Sequence, residues 1–295
     1  NKSPPYITAI SGRISMADKT YAIKETIKKW DQSYIVRKCL IVCLATGMSL
    51  VEVVGSQMVN SLILAIDSQQ FFYAAVVVLT TTITDKNNDV IFGFHNTFQW
   101  ARIKLVTSLT SSIFLLALLA STCLKSLEIL FTHNHHGEMS NGVFNIICAV
   151  VSISIHLLAY FLIGGFYNQQ MSVLATECQN NKMTSPMKTQ TCHVLSLVDF
   201  AGCSLLFICS IFQITFGAPV AMYLDPLLSL VAAMLISSVQ IPFVKKLVLI
   251  LMQTTPEETA LSAFQSNLLM KFPSVKNIHE FHLWRLVPDQ IVCSV

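Results

Sequence analysis

Charge is what this sequence has least of. Lys and Arg supply 19 of its 295 residues and Asp and Glu 16, together 12%, where a soluble globular domain carries about 25%. A chain so poor in charge cannot cover its own surface with groups that water solvates, so lipid is the solvent for most of it. The formal net charge of +3 supplies no stripe for tracking phosphates, which argues against nucleic acid as a partner. Long apolar blocks exclude disorder. A glycine-rich phosphate loop, a nucleophile elbow and an H-E-x-x-H string are also missing, so nothing points to an enzyme. The nine cysteines include no C-x-x-C pair and lie mostly in apolar runs, where they read as small buried hydrophobes.

What the chain does have is six apolar runs, each near the ~20 residues that cross a bilayer core. They are Cys39–Met58, Leu62–Thr84, Leu105–Leu124, Val143–Tyr167, Cys192–Phe216 and Val220–Val244. Residues 1–38 are polar and basic, so the first run reads as a span rather than a signal peptide. With six spans, all 19 lysines and arginines except Lys125 fall on one side. The positive-inside rule then puts both termini in the cytosol. The expected fold is an all-α polytopic membrane protein of six transmembrane helices. Residues 1–38 form a cytosolic tail, 39–250 the membrane domain and 251–295 a cytosolic C-terminal domain. That last segment mixes a helical stretch, Glu257–Lys271, with a strand-like Ile291-Val292, and reads as a domain cut short.

Four acids fall inside the spans: Glu52, Asp67, Asp199 and Asp225. Intramembrane carboxylates with no buried lysine or arginine suit a cation pathway, because their oxygens replace a metal's water shell. Each also has a plainer reading. Asp67, near a helix end, could be hydrated. Asp225 before Pro226 suits an N-cap with proline at the first helical position. Glu52 could bond a neighbouring helix through Ser49 or Thr46. Asp199 is flanked by apolar and small residues and is the hardest to explain structurally. The metal pattern H-x-x-x-D is absent, since Leu195 stands four residues before Asp199 and His193 lies on another face. His133-Asn134-His135-His136, between the third and fourth runs, reads as a solvated loop that could hold metal weakly.

Several strings together resemble one family, the cation diffusion facilitators, and within it the zinc-exporter branch. They are Val51-Glu-Val-Val-Gly-Ser with Ser61-Leu-Ile-Leu-Ala-Ile-Asp67, Thr97-Phe-Gln-Trp-Ala-Arg102-Ile-Lys104, Tyr223-Leu-Asp-Pro226, Leu251-Met-Gln-Thr-Thr-Pro256 and His279-Glu-Phe-His-Leu-Trp284. The resemblance implies a dimeric six-helix transporter with a ferredoxin-like α/β cytosolic domain, exchanging zinc or another divalent cation for protons. It implies no resident cofactor, and a location in the plasma membrane or an intracellular vesicle membrane. The family's transport ligands map onto Gln70 and Ala74 in the second helix and Leu195 and Asp199 in the fifth, so one of the four is kept. Gln99 and Lys104 also depart from the pattern, and residues 168–191 contain no histidine. A weaker, oxygen-rich site from Asp67, Gln70 and Asp199 would favour harder ions such as manganese, magnesium or calcium. His279, with His282 beside it, resembles a cytosolic metal position. Two functions follow: a divalent-cation exporter, or a non-transporting partner that pairs, as homodimer or heterodimer, with a competent paralogue.

Overall fold

The computed structural model describes residues 33–87, 99–132, 142–174, 197–254, 269–272, 278–287 and 290–294. The His133–His136 cluster, His193, Leu195, Thr97 and most of the Glu257–Lys271 stretch lie outside them. The described helices are α1 (Ser33–Val59), α2 (Leu62–Asn87), α3 (Gln99–Thr132), α4 (Gly142–Ile163), α5 (Phe166–Ser172), α6 (Ala201–Phe216) and α7 (Ala218–Leu251). Five of these are long and apolar enough to cross a membrane, and α6, with 16 residues, is a shorter apolar helix. Most of the expected runs thus form continuous helices, several longer than the apolar run alone because polar ends extend them.

The fourth run is the exception. Val143–Tyr167 was expected as one span, but the chain leaves the helix at Gly164 and Gly165, whose φ values of 79° and 93° suit residues without a Cβ. It re-forms as the short α5. A similar break at Gly217 (φ 79°) separates α6 from α7. Between α1 and α2 the turn is made by Asn60 at φ 53°, a conformation that asparagine tolerates better than most residues.

Helix α2 is the centre of the bundle. It packs against α3, α5, α6 and α7, and 67% of its apolar window is buried against 22% for α3. The main apolar core runs from Ile41 and Met48 on α1 through Ile63, Phe71 and Val78 on α2 to Leu206 on α6 and Ile236 on α7. Outward, Val150, Leu157 and Phe161 on α4 and Met234 and Ile241 on α7 are exposed, as lipid-facing side chains are. Threonines on the spans return their hydroxyls to the carbonyl four residues back, as Thr80 does to Val76 and Thr107 to Ile103. Those hydroxyl donors are then not left bare in hydrocarbon.

Asp225 caps a helix, but not its own. Helix α7 begins seven residues earlier and runs through Pro226. The carboxylate instead reaches across the bundle to the start of α2. There Oδ1 accepts from Ser61 Oγ at 2.8 Å and from the Ile63 N–H at 3.4 Å, and Oδ2 accepts from the Leu62 N–H at 2.7 Å. These are the groups a helix start leaves unsatisfied. Beyond α7, strands β1 (His282–Val287) and β2 (Gln290–Ser294) pair antiparallel, with Leu283 opposite Cys293 and Trp284 opposite Val292. β1 packs against α3 and α7.

Candidate metal centre

The sequence places Asp67 in the second turn of α2, and packing carries that turn into the middle of the bundle. Asp67 is 0% exposed, so it is not the hydrated helix-end residue that its position allowed. Neither carboxylate oxygen makes a well-formed hydrogen bond among the described residues; the Ser152 hydroxyl and the Glu52 carboxyl stand within interaction range. An orphaned buried carboxylate is costly, and a native structure keeps one where something else completes it.

Three helices contribute the surroundings. From α1 comes Glu52, also 0% exposed and within hydrogen-bonding reach of Asp67. Its Oε1 accepts from Ser152 Oγ on α4 at 2.6 Å, so Glu52 does bond a neighbouring helix, but directly rather than through Ser49 or Thr46. Thr46 bonds the carbonyls of Val42 and Cys43. Helices α1 and α4 come close here because Gly55 faces Phe144, whose ring would stand 2.5 Å from an added Cβ. One turn along α4 from Ser152, His156 is buried between the rings of Phe71, Phe166 and Phe200, with centroids 4.6, 5.4 and 5.5 Å away. Neither of its ring nitrogens has a hydrogen-bond partner among the described residues. From α6 comes Cys203. Ligand atoms of Asp67, His156 and Cys203 all lie within 4.8 Å of one another.

Gly202 is what lets α6 approach. A Cβ at that position would sit 2.6 Å from Asp67 Oδ1 and 2.7 Å from Gln70 Oε1, so both oxygens point at the bare start of α6. Beside them a small cavity of about 30 Å³ is lined by Gln70, Ala74, His156, Asp199 and the Tyr73–Gln240 side. Its polar wall is a hydrogen-bonded row: Gln170 Nε2 donates to Gln240 Oε1 at 3.0 Å, Gln240 Nε2 to Ser112 Oγ at 2.8 Å, and Tyr73 Oη lies 3.3 Å from the same hydroxyl.

The expected ligands are thus brought together only in part. Asp67 and Gln70 converge on Gly202, and the Gln70 amide reaches the backbone carbonyl of Asp199 at 3.5 Å. The Asp199 carboxylate borders the cavity but accepts the Tyr167 N–H at 2.9 Å, and it stands outside the close set around Asp67. His279 and His282 are exposed at the start of β1, and among the described residues no third ligand joins them. His156 and Cys203 were not singled out from sequence. The signal for His156 was available, an imidazole in the middle of an apolar run.

Orphaned ligands at the centre of a polytopic helical bundle agree with the comparison to known families. The cation efflux transmembrane domain model matches residues 39–252. The chain belongs to the cation efflux family. It is a multi-pass integral membrane protein of a family of transporters, not enzymes. Among curated relatives, this cation efflux protein is 30% identical over 73 residues to the calcium/manganese antiporter SLC30A10 of Mus musculus and equally to that of Homo sapiens. It is 36% identical over 73 residues to the vacuolar zinc transporter COT1 of Saccharomyces cerevisiae. Each alignment covers 25% of this chain and only 15% or 16% of the relative.

Proposed function

We propose that the protein moves a divalent metal cation out of the cytosol in exchange for protons, working as a dimer, with Asp67, Gln70 and Asp199 on the path. The observation that carries this is the Asp67 carboxylate, wholly buried and without a well-formed hydrogen bond among the described residues, beside a cavity that Gln70 and Asp199 line. A carboxylate kept in that state has a cation or a proton as its natural partner. The relatives named as calcium/manganese and zinc transporters support the same cargo class. The orientation, with both termini cytosolic, rests on the one-sided placement of Lys and Arg.

The second reading is a non-transporting partner subunit that dimerises with a competent paralogue. It is favoured by Ala74, a buried cavity-lining residue with no ligand atom to offer, at a position where the family resemblance implies a ligand. Flux separates the two. The full-length protein in sealed vesicles, tested with zinc and with manganese under a proton gradient, is expected to accumulate metal, and Asp199→Ala to abolish that accumulation. A folded protein that moves neither ion leaves the partner reading standing.

A further inference from the structure

We propose that Asp67, His156 and Cys203 form a three-ligand oxygen–nitrogen–sulfur site for a borderline-to-soft divalent ion of the zinc type, away from the positions to which the family resemblance maps its transport ligands. The inference rests on the proposed transport reading only for how the ion arrives; the site itself stands on geometry.

The ligands come one each from α2, α4 and α6, with all three atoms within 4.8 Å of one another. A tetrahedral zinc holds neighbouring ligands about 3.3–3.8 Å apart, so the site must close by about 1 Å. All three residues are buried, at 0%, 2% and 0% exposure. Neither ring nitrogen of His156 has a hydrogen-bond partner among the described residues, and neither Asp67 oxygen makes a well-formed hydrogen bond, with Glu52 and Ser152 standing close by. Cys203 Sγ donates to the Phe200 carbonyl at 3.3 Å, and as a ligand it would give up that proton. Asp67 and a Cys203 thiolate together carry the two negative charges that neutralise a divalent ion, which suits a site inside a bilayer.

Three ligands leave one tetrahedral position open, the arrangement of a site that exchanges its ion rather than one that locks the fold. His156 also lines the cavity that Gln70 and Asp199 border, so an ion in that cavity has the imidazole as its next ligand. An oxygen-only set would favour manganese or calcium. Imidazole and thiolate favour zinc instead.

The test is Co²⁺ binding to the full-length protein in lipid nanodiscs, read by absorption, with Zn²⁺, Mn²⁺ and Ca²⁺ as competitors. The expected result is a cobalt–thiolate charge-transfer band saturating at one ion per chain. Zinc should displace it at least ~100-fold more effectively than manganese or calcium. Cys203→Ser should remove the band and weaken zinc binding about 100-fold, while the thermal midpoint stays near that of the parent. Cys203→Ala serves as the fold control. A band that persists in both Cys203 variants, or competition that does not prefer zinc, overturns the site. A cobalt band in a protein without flux upholds the site and refutes the transport reading. Flux without the band does the reverse.

Discussion

Asp67 and Asp225 are both aspartates shut inside the same bundle, at 0% and 2% exposure, and the fold surrounds them in opposite ways. Asp225 receives a hydroxyl and two backbone N–H groups from the start of α2. Asp67, about one and a half turns further along that helix, makes no well-formed hydrogen bond among the described residues and faces Glu52, His156 and Cys203 instead. Burial alone therefore says little about role. What separates a structural carboxylate from a binding one is whether its lone pairs are already filled. The first holds α7 to α2; the second is the carboxylate proposed to take a cation.

Breaking Asp225 should have the largest effect on the fold. Asp225→Ala leaves Ser61 Oγ and the Leu62 and Ile63 N–H groups buried without their acceptor, a loss of about 2–4 kcal/mol. The thermal midpoint in nanodiscs should drop by roughly 5–10 °C, whereas Asp225→Asn, which keeps one acceptor oxygen, should recover part of it. Asp67→Asn should do the opposite. No donor is abandoned, and the new amide can serve Glu52 Oε2, itself without a partner among the described residues. The midpoint should hold or rise while zinc affinity falls about 100-fold, as expected on losing a charged ligand. If Asp67→Asn melts as early as Asp225→Ala, the contrast between the two carboxylates is wrong.

A smaller change sharpens the same contrast from the side of α6. Gly202→Ala places a methyl group on Asp67 Oδ1 and Gln70 Oε1. Asp67 has a short side chain that cannot swing far, so its carboxylate must leave the direction of His156 and Cys203. Zinc affinity measured by competition should fall roughly tenfold to thirtyfold, the range of a disturbed ligand orientation. An unchanged affinity would mean that the approach of α6 does not position Asp67.

How far the sequence could be read follows from the distance over which each decision is made. Apolar runs are local, and they locate the helices of the bundle; the break at Gly164-Gly165 was legible as a glycine pair but was hidden inside an otherwise apolar run. The capping chemistry of Asp225 could be anticipated from Asp-Pro, yet the helix it caps lies 163 residues away in sequence, and no local pattern points there. Glu52 is the same case: the hydroxyl it takes is Ser152, 100 residues on, not a neighbour on α1. A metal site legible in sequence has two ligands on one helix face, spaced one turn apart. Asp67, His156 and Cys203 instead come one from each of three helices, so only the packing of α2, α4 and α6 makes them a set. The match to the cation efflux model established the family, but by residue type the mapped ligand positions Ala74 and Leu195 are empty, and the resemblance could not say what replaces them.

The gentlest test removes one hydroxyl. Ser152 Oγ holds Glu52 Oε1 at 2.6 Å, and Glu52 stands against Asp67, so Ser152 would position the proposed metal centre without supplying a ligand to it. Ser152→Ala deletes one buried hydrogen bond, and the Glu52 carboxyl is left to find another partner. The nearest is Asp67, and a proton shared between the two carboxyls competes directly with a metal for the Asp67 oxygens. Zinc affinity should therefore fall by no more than about tenfold, the lower edge of the range for a lost supporting contact, while stability changes by no more than about 1 kcal/mol. A merely structural serine would shift the midpoint and leave the competition curve in place. Ser152→Thr, which keeps the hydroxyl, should restore the affinity. Normal zinc binding by Ser152→Ala would remove Glu52 from the centre and leave Asp67 as its sole acid.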